Sequence, residues 1–410
     1  MWRPQGDRWP RDGGPGDGGH RLRPGWLALM ARQFVVVGAG LVGACAAWRI
    51  AQAGGQVTVL EQEHPCSGAT GTSFAWVGAS YYDAVSQPHY FQLKLEAARA
   101  RARMSEELGG HIGLHTTGLV VWSNRPESAS AMAAGFQRLR DVGVEAELIS
   151  RAQLRRIEPE LRVPSDVVAL GYCPDDGYIS AQTLVATVLR AARDHGAVVR
   201  PLHPVTEILQ GGGRATGVRT FSGEVVGADV VVVAAGAATG QLVASAGGLI
   251  PLVEPSHRGS DAIGLIVTTE PANSLLRRLV VNDRVMFRPE GGGRLLLHSY
   301  DVDRQVFVDD TPAQLFEAGQ QVATITREFL PDDVRLSVDS ARVGVRPLPV
   351  DGLAVVGPIP ELPGLYAAVT HSGVTLGALL GELIAEEVVH ERPAPALDHF
   401  RPERFADPAT

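Results

Sequence analysis

Gly38, Gly40 and Gly43, with Glu61 beyond them, have the types and spacing that hold a pyrophosphate and a ribose. Gly38 permits a tight turn, Gly40 lets the backbone approach phosphate, and Gly43 lets a following helix pack closely on a sheet. Leu41 and Val42 open that helix, whose first N–H groups and positive dipole end attract phosphate oxygens. Glu61, at the end of the next strand, stands where a carboxylate accepts hydrogen bonds from ribose hydroxyls. A carboxylate there disfavours a 2′-phosphate, so NADP fits least. This unit alone does not separate FAD from NAD.

The elements that must position these residues follow from patterning. Residues 34–37 form a β-branched run suited to a central parallel strand. A small-residue loop, CSGATGTSFAW, spans 66–76. Helical stretches are expected at 87–108, 131–142, 180–194 and 312–329, with Ser150 capping a further short helix. Strands are expected at 117–123, 197–200 and 229–234, the last running into the small-residue turn Ala235-Gly236, and ligands of open α/β sheets gather at such strand ends. From 251 to 336 the apolar runs become short and alternating, as in an antiparallel sheet. The fold class is therefore α/β: a Rossmann-type domain assembled from discontinuous segments (32–110, 168–245 and 341–400), interleaved with an α+β substrate domain (111–167 and 246–340) on an antiparallel sheet. Residues 1–31, rich in Gly, Pro and charge, read as a disordered extension, and 401–410 as a tail.

Composition narrows the partners. A formal charge of −8 over 410 residues gives no reason to expect nucleic acid. No window has the apolar length to span a bilayer. Cys45, Cys66 and Cys173 are scattered, which suits a reducing cytoplasm and neither a disulfide framework nor a metal site. Homo-oligomerisation is left open.

Taken together, GAGLVGACAA, Glu61, SGATGTS, DDGYISAQTL, VVVVAAGAAT, GVRPLPVDGLAVVG and THSGVTLG resemble the D-amino-acid oxidase superfamily of FAD-dependent oxidoreductases, which includes glycine oxidase, sarcosine oxidase and D-amino-acid dehydrogenases. The resemblance spans nearly the whole chain beyond Arg32, and its C-terminal segments decide for FAD.

The resemblance implies roles residue by residue. Gly38, Gly40 and Gly43 would hold the FAD pyrophosphate and Glu61 the adenosine ribose. Ser67, Thr70, Thr72 and Ser73 match the loop beside the isoalloxazine and pyrophosphate, Val205 the backbone that meets adenine, and Ala235 and Gly236 the turn near the ribityl chain. Ser372, Gly373, Val374, Thr375 and Leu376 would start a helix facing the flavin N1–C2=O edge, where a positive dipole end stabilises the reduced ring. Arg346 matches a carboxylate clamp, with Arg342 as its competitor; the plainer reading pairs Arg346 with Asp351 or with turn carbonyls. His371, beside the flavin segment, would meet substrate. His257, His298, Tyr81, Tyr82 and Met286 read as packing or surface residues, although Met286 and Arg288 share a strand face that can look toward the flavin.

The implied chemistry is oxidation of the C–N bond of an amino acid or secondary amine by hydride transfer to flavin N5, with oxygen or another acceptor taking the electrons. No general base is nominated. The stretch ARVGVRPLPVD lacks a cysteine, so the FAD is expected to be non-covalent. Alternatives are a 2-hydroxy-acid dehydrogenase of the same fold, a non-catalytic FAD-binding component of a larger complex, and a plain NAD dehydrogenase, which the C-terminal segments disfavour.

Overall fold

The computed structural model describes residues 32–78 and 83–406. The expected N-terminal extension, Tyr81, Tyr82 and the last four residues lie outside that range.

Two large sheets organise the chain. The first has six strands in the order Val355–Pro358, Leu365–Val369, Val230–Val233, Gln33–Val37, Gln56–Leu60 and Val198–Arg200. All neighbours are parallel except the first pair. Parallel strands must be covered on both faces, which explains the unbroken valine runs at 35–37 and 230–233. Helices Leu41–Gln52, Ala181–Asp194 and Gly373–Val388 belong to the apolar cluster that covers one face. Leu41–Gln52 packs tightly on Gly373–Val388 because that helix offers glycines: a Cβ on Gly381 would lie 2.8 Å from Cys45, and one on Gly377 3.0 Å from Leu41. A three-stranded meander, Val205–Gly211, Arg214–Thr220 and Val225–Gly227, lies against the other face through Ile208, Ala215 and Val218.

The second sheet has eight strands, Val338–Val345, Ile263–Thr269, Arg294–His298, Met286–Gly291, Leu279–Val281, Leu119–Ser123, Ala169–Cys173 and Glu147–Leu148 in spatial order. Only Leu279–Val281 and Leu119–Ser123 run parallel. Helix Pro312–Arg327, closed by a Thr311/Gln314 capping box, packs on one face through Ala318, Val322 and Ala323. Ser150 caps helix Arg151–Ile157 in the same manner with Gln153. Two boundaries expected from sequence need correction. Residues 169–173 and 341–345, assigned to the nucleotide domain, pair inside this second sheet. Strand patterning reveals burial and alternation but not which partner a strand chooses. No helix among the described residues is long and apolar enough to cross a membrane.

Candidate active site

The carboxyl ends of the parallel strands bring the glycines together. Gly38 adopts φ +103°, and a Cβ there would sit 2.4 Å from the Ala234 carbonyl oxygen. A Cβ on Gly43 would strike the Gly38 carbonyl at 2.1 Å, so glycine is required at both positions. Glu61 is buried and ties this turn down: its Oε2 accepts from Ala39 N–H at 2.7 Å and its Oε1 from Glu63 N–H at 3.0 Å. Thr70 Oγ1 accepts from Leu41 N–H at 3.2 Å, placing the small-residue loop over the start of the first helix. Ser73 Oγ donates to the Thr70 carbonyl at 2.9 Å, and Thr72 packs where a Cβ on Gly344 would lie. Ser67 lies in the same loop with its side chain exposed.

The remaining cofactor candidates surround the same turn. Val205 begins a strand two residues after His203, whose N–H donates to the Glu61 carbonyl at 2.8 Å. Ala235 lies against Gly38, and Gly236 follows with φ +58°. Helix Gly373–Val388 starts at Ser372 without a side-chain cap, as helix Leu41–Gln52 starts at Gly40 without one. A Cβ on Gly373 would meet Val42 Cγ2 at 3.4 Å, so the two uncapped amino ends are neighbours. Two such ends, with glycine where a side chain would obstruct, suit a ligand carrying phosphates and a ring that gains negative charge. Val374 and Thr375 line the adjoining cavity, and Leu376 is buried beneath them.

That cavity, about 430 Å³, lies between the two sheets. Its walls include Phe74, Lys94, Met286, His298, Tyr300, Arg346 and His371. Its size is that of a site for a small organic molecule. Arg346 enters it from the end of the strand Val338–Val345, and its guanidinium crosses Gly264: a Cβ there would lie 2.6 Å from Nη2. Nη1 donates to the carbonyls of Asp261, at 2.9 Å, and of Ile263. Nη2 pairs with Asp303 Oδ2 and lies 3.0 Å from His298 Nε2. The expected alternative partner, Asp351, is taken by Arg404 at 2.8 Å. The competing Arg342 stands on the same strand but lines a separate small recess with Arg288 and Glu290.

Three sequence readings change here. His298 is packed, at 3 % exposure, but it also borders the cavity, and its Nε2 lies 2.9 Å from Asp303 Oδ2. Met286, cross-strand from His298, also lines the cavity, whereas Arg288 is buried between the rings of Phe74 and Tyr178. Lys94, paired with Asp83, is a cavity cation that sequence reasoning missed. Tyr300 and Asp303, also missed, lie in a single short helical turn, Tyr300–Asp303, which carries no motif. The one available signal for His298 was its position in an alternating strand beside the already suspected Met286 strand.

The electrostatics are balanced. Asp303 Oδ1 accepts from Leu265 N–H at 2.7 Å, and the hydrogen bond and charge of His298, with Arg346, hold the carboxyl below its usual range despite burial. Desolvation first, then the charges of Arg346 and Lys94, push His371 down to about 4. The His371 ring nevertheless opens to the cavity, so solvent reduces the desolvation share and leaves the two cations as the firmer cause. All three cysteines are buried, and burial raises Cys66 to about 11 and Cys45 to about 12, so neither offers a thiolate.

Comparison with known proteins agrees with this architecture. Residues 33–387 match the family model described as "FAD dependent oxidoreductase". Glycine oxidase of Geobacillus kaustophilus is 27 % identical over 374 residues, covering 88 % of this chain and 94 % of the relative. Glycine oxidase of Pseudomonas aeruginosa is 27 % identical over 386 residues, covering 89 % of this chain and 96 % of the relative. The crystal structure of the Geobacillus glycine oxidase superposes with a TM-score of 0.78 at 24 % identity, covering 92 % of this chain and all of that one. The glycine turn, the paired helix starts and the match over most of the chain lead to one conclusion: this chain belongs to the FAD-dependent oxidoreductases of the D-amino-acid oxidase type, and it is an FAD-dependent enzyme.

Proposed function

We propose that the chain oxidises the C–N bond of an amino acid or secondary amine to an imine, with substrate bound in the cavity bordered by Arg346. The carrying observation is the convergence of Arg346, His298, Tyr300 and His371 on one cavity beside the amino end of helix Gly373–Val388. The same type of substrate is named by the glycine oxidase relatives. FAD, when bound, supplies the two-electron acceptor.

The chain's own residues bind and orient. Gly38, Gly40, Leu41, Val42 and Gly43 offer backbone to the pyrophosphate, Glu61 and Val205 border the adenosine end, and Thr70, Thr72, Ser73, Ala235 and Gly236 enclose the middle. Residues 372–376 present the helix start to the reactive ring. Arg346 orients a substrate carboxylate by charge and hydrogen bonding. Its guanidinium is held by Asp303 and two carbonyls, so it meets the carboxylate as a fixed donor rather than a flexible one. His371, neutral at pH 7, adds a hydrogen-bonding partner without a further charge. Phe74 and Met286 line the apolar side and exclude water from the imine.

The test is anaerobic mixing of the flavin-loaded enzyme with amino acids, N-substituted amino acids and 2-hydroxy acids, followed by absorbance. Bleaching by an amine substrate is expected. Bleaching only by hydroxy acids would replace the reading, and no bleaching by any of them would end it.

A further inference from the structure

We propose that Lys94 binds a second carboxylate of the substrate, so that the preferred substrate is an amine carrying two carboxylates, one held by Arg346 and the other by Lys94. This rests on the amine reading above and narrows its substrate class.

Lys94 is a costly residue to place in a wall. Lysine is rarely buried unless its charge is met, because an ammonium gives up strong hydration there. Here it stands in helix Pro88–Glu107 with its side chain 11 % exposed, and it lines the cavity. Tyr90, one turn earlier, holds it in place: the Lys94 ammonium lies 4.5 Å from the centre of the Tyr90 ring. The Tyr90 hydroxyl in turn lies 3.3 Å from Thr370 Oγ1, next to His371. Asp83 accepts a hydrogen bond from the ammonium. A lysine ammonium has three donors. Among the described residues, Asp83 is the one acceptor and Tyr90 the one ring that meet it, so donor capacity remains.

Arg346 reaches the same cavity from the eight-stranded sheet. Each cation is fixed by a carboxylate of its own, Asp303 or Asp83, yet the field between them keeps one sign. The charges of Arg346 and Lys94 both disfavour protonation of His371, whose ring opens to the cavity, and neither carboxylate offsets them there. Two cations arriving from separate elements suit a ligand with two separated negative charges.

The alternatives fit less well. A single α-carboxylate satisfies Arg346 and leaves the remaining Lys94 donors to water. An apolar side chain would strip that water without replacing its hydrogen bonds. A second ammonium would be repelled by both cations. A second carboxylate meets the spare Lys94 donors in charge-assisted hydrogen bonds, about twice as strong as neutral ones. It can be attached on the carbon side of the amine or on its nitrogen, and the chemistry at Lys94 is the same.

Two measurements on the flavin-loaded full chain test this. The first needs no turnover: calorimetric titration with unreactive acids. Malonate, succinate or glutarate should bind the wild type at least about tenfold tighter than acetate or propionate. That preference should vanish in Lys94→Gln and persist in Lys94→Arg. Its absence from the wild type, or its survival in Lys94→Gln, would overturn the proposal. The second follows flavin reduction by stopped flow. Aspartate and glutamate (both enantiomers) and N-carboxymethyl amino acids are compared with glycine, alanine and sarcosine. Lys94→Gln should lower the second-order rate constant for the dicarboxylates about 10–100-fold more than for the monocarboxylates. Flavin content and Tm serve as folding controls. Equal losses for both classes would assign Lys94 to the flavin or to the fold and overturn the proposal. Diacid binding that depends on Lys94, with no amine bleaching the wild type, would instead overturn the functional reading and leave the second carboxylate site standing.

Discussion

The two sheets build their halves of the site from opposite materials. Around the six-stranded sheet the chemistry is backbone: positive φ at Gly38, missing Cβ atoms at Gly40 and Gly43, and uncapped helix starts at Leu41 and Gly373. Around the eight-stranded sheet it is side chains, with His298, Asp303 and Arg346 arriving from separate elements to share one carboxylate oxygen. Backbone chemistry is local, so a short run of sequence can specify it. Side-chain clusters depend on register between strands distant in the chain, and their members need no motif.

Breaking each half separately sharpens the contrast. The largest effect is expected from Gly43→Ala, whose Cβ would lie 2.1 Å from a carbonyl oxygen. Neither partner is a flexible side chain, so the loss should reach about 4 kcal/mol, seen as lost flavin and a lowered Tm. Loss of turnover with full flavin content would break the assignment of this half to cofactor holding. Arg346→Ala should retain flavin but lose about 2–4 kcal/mol in kcat/KM for substrates with a carboxylate, and much less for the corresponding amines without one. Equal losses for both would remove Arg346 from carboxylate recognition.

Gly264→Ala is a subtler change on the same side. A Cβ there lies 2.6 Å from the Arg346 guanidinium, which must shift, at a cost of about 1–3 kcal/mol. KM should rise more than kcat falls, with the flavin spectrum unchanged. The smallest effect is a pH-independence. Because His371 is depressed to about 4, it stays neutral from pH 8 down to about 5, and its NMR resonances should not move over that range. The sign is that of a base lowered below its unfolded value of about 6.5: its contribution to stability is complete above that value and declines as pH falls toward 4. Titration near 6.5 would show that solvent in the cavity cancels the desolvation and the repulsion from Arg346 and Lys94.

The contrast also explains what was legible. The glycine turn, Glu61 and the valine strands follow from spacing and patterning, the helix start at 372–376 follows from the family resemblance, and the structure forms each of these elements. Helices Pro88–Glu107, Ala181–Asp194 and Pro312–Arg327 likewise lie close to where periodicity put them. The partner of Arg346 was not legible: Asp351 is near in sequence, but Asp303, 43 residues away, is the one in contact. The placement of His298 beside Asp303 and Arg346 was hidden for the same reason, since its neighbours Tyr300 and Asp303 look like any polar turn.

The glycine contacts between helices Leu41–Gln52 and Gly373–Val388 carry a consequence for synthesis. On a ribosome the glycine turn and its helix emerge among the first elements of the described chain, yet part of the surface they pack against arrives among the last. Until Gly377 and Gly381 can seat against Leu41 and Cys45, the side of the early helix that helix Ala181–Asp194 does not cover stays open. Such long-range closure is slow and leaves hydrophobic surface exposed in the interval. A nascent chain halted before residue 373 should therefore depend on a chaperone, or fall to proteolysis.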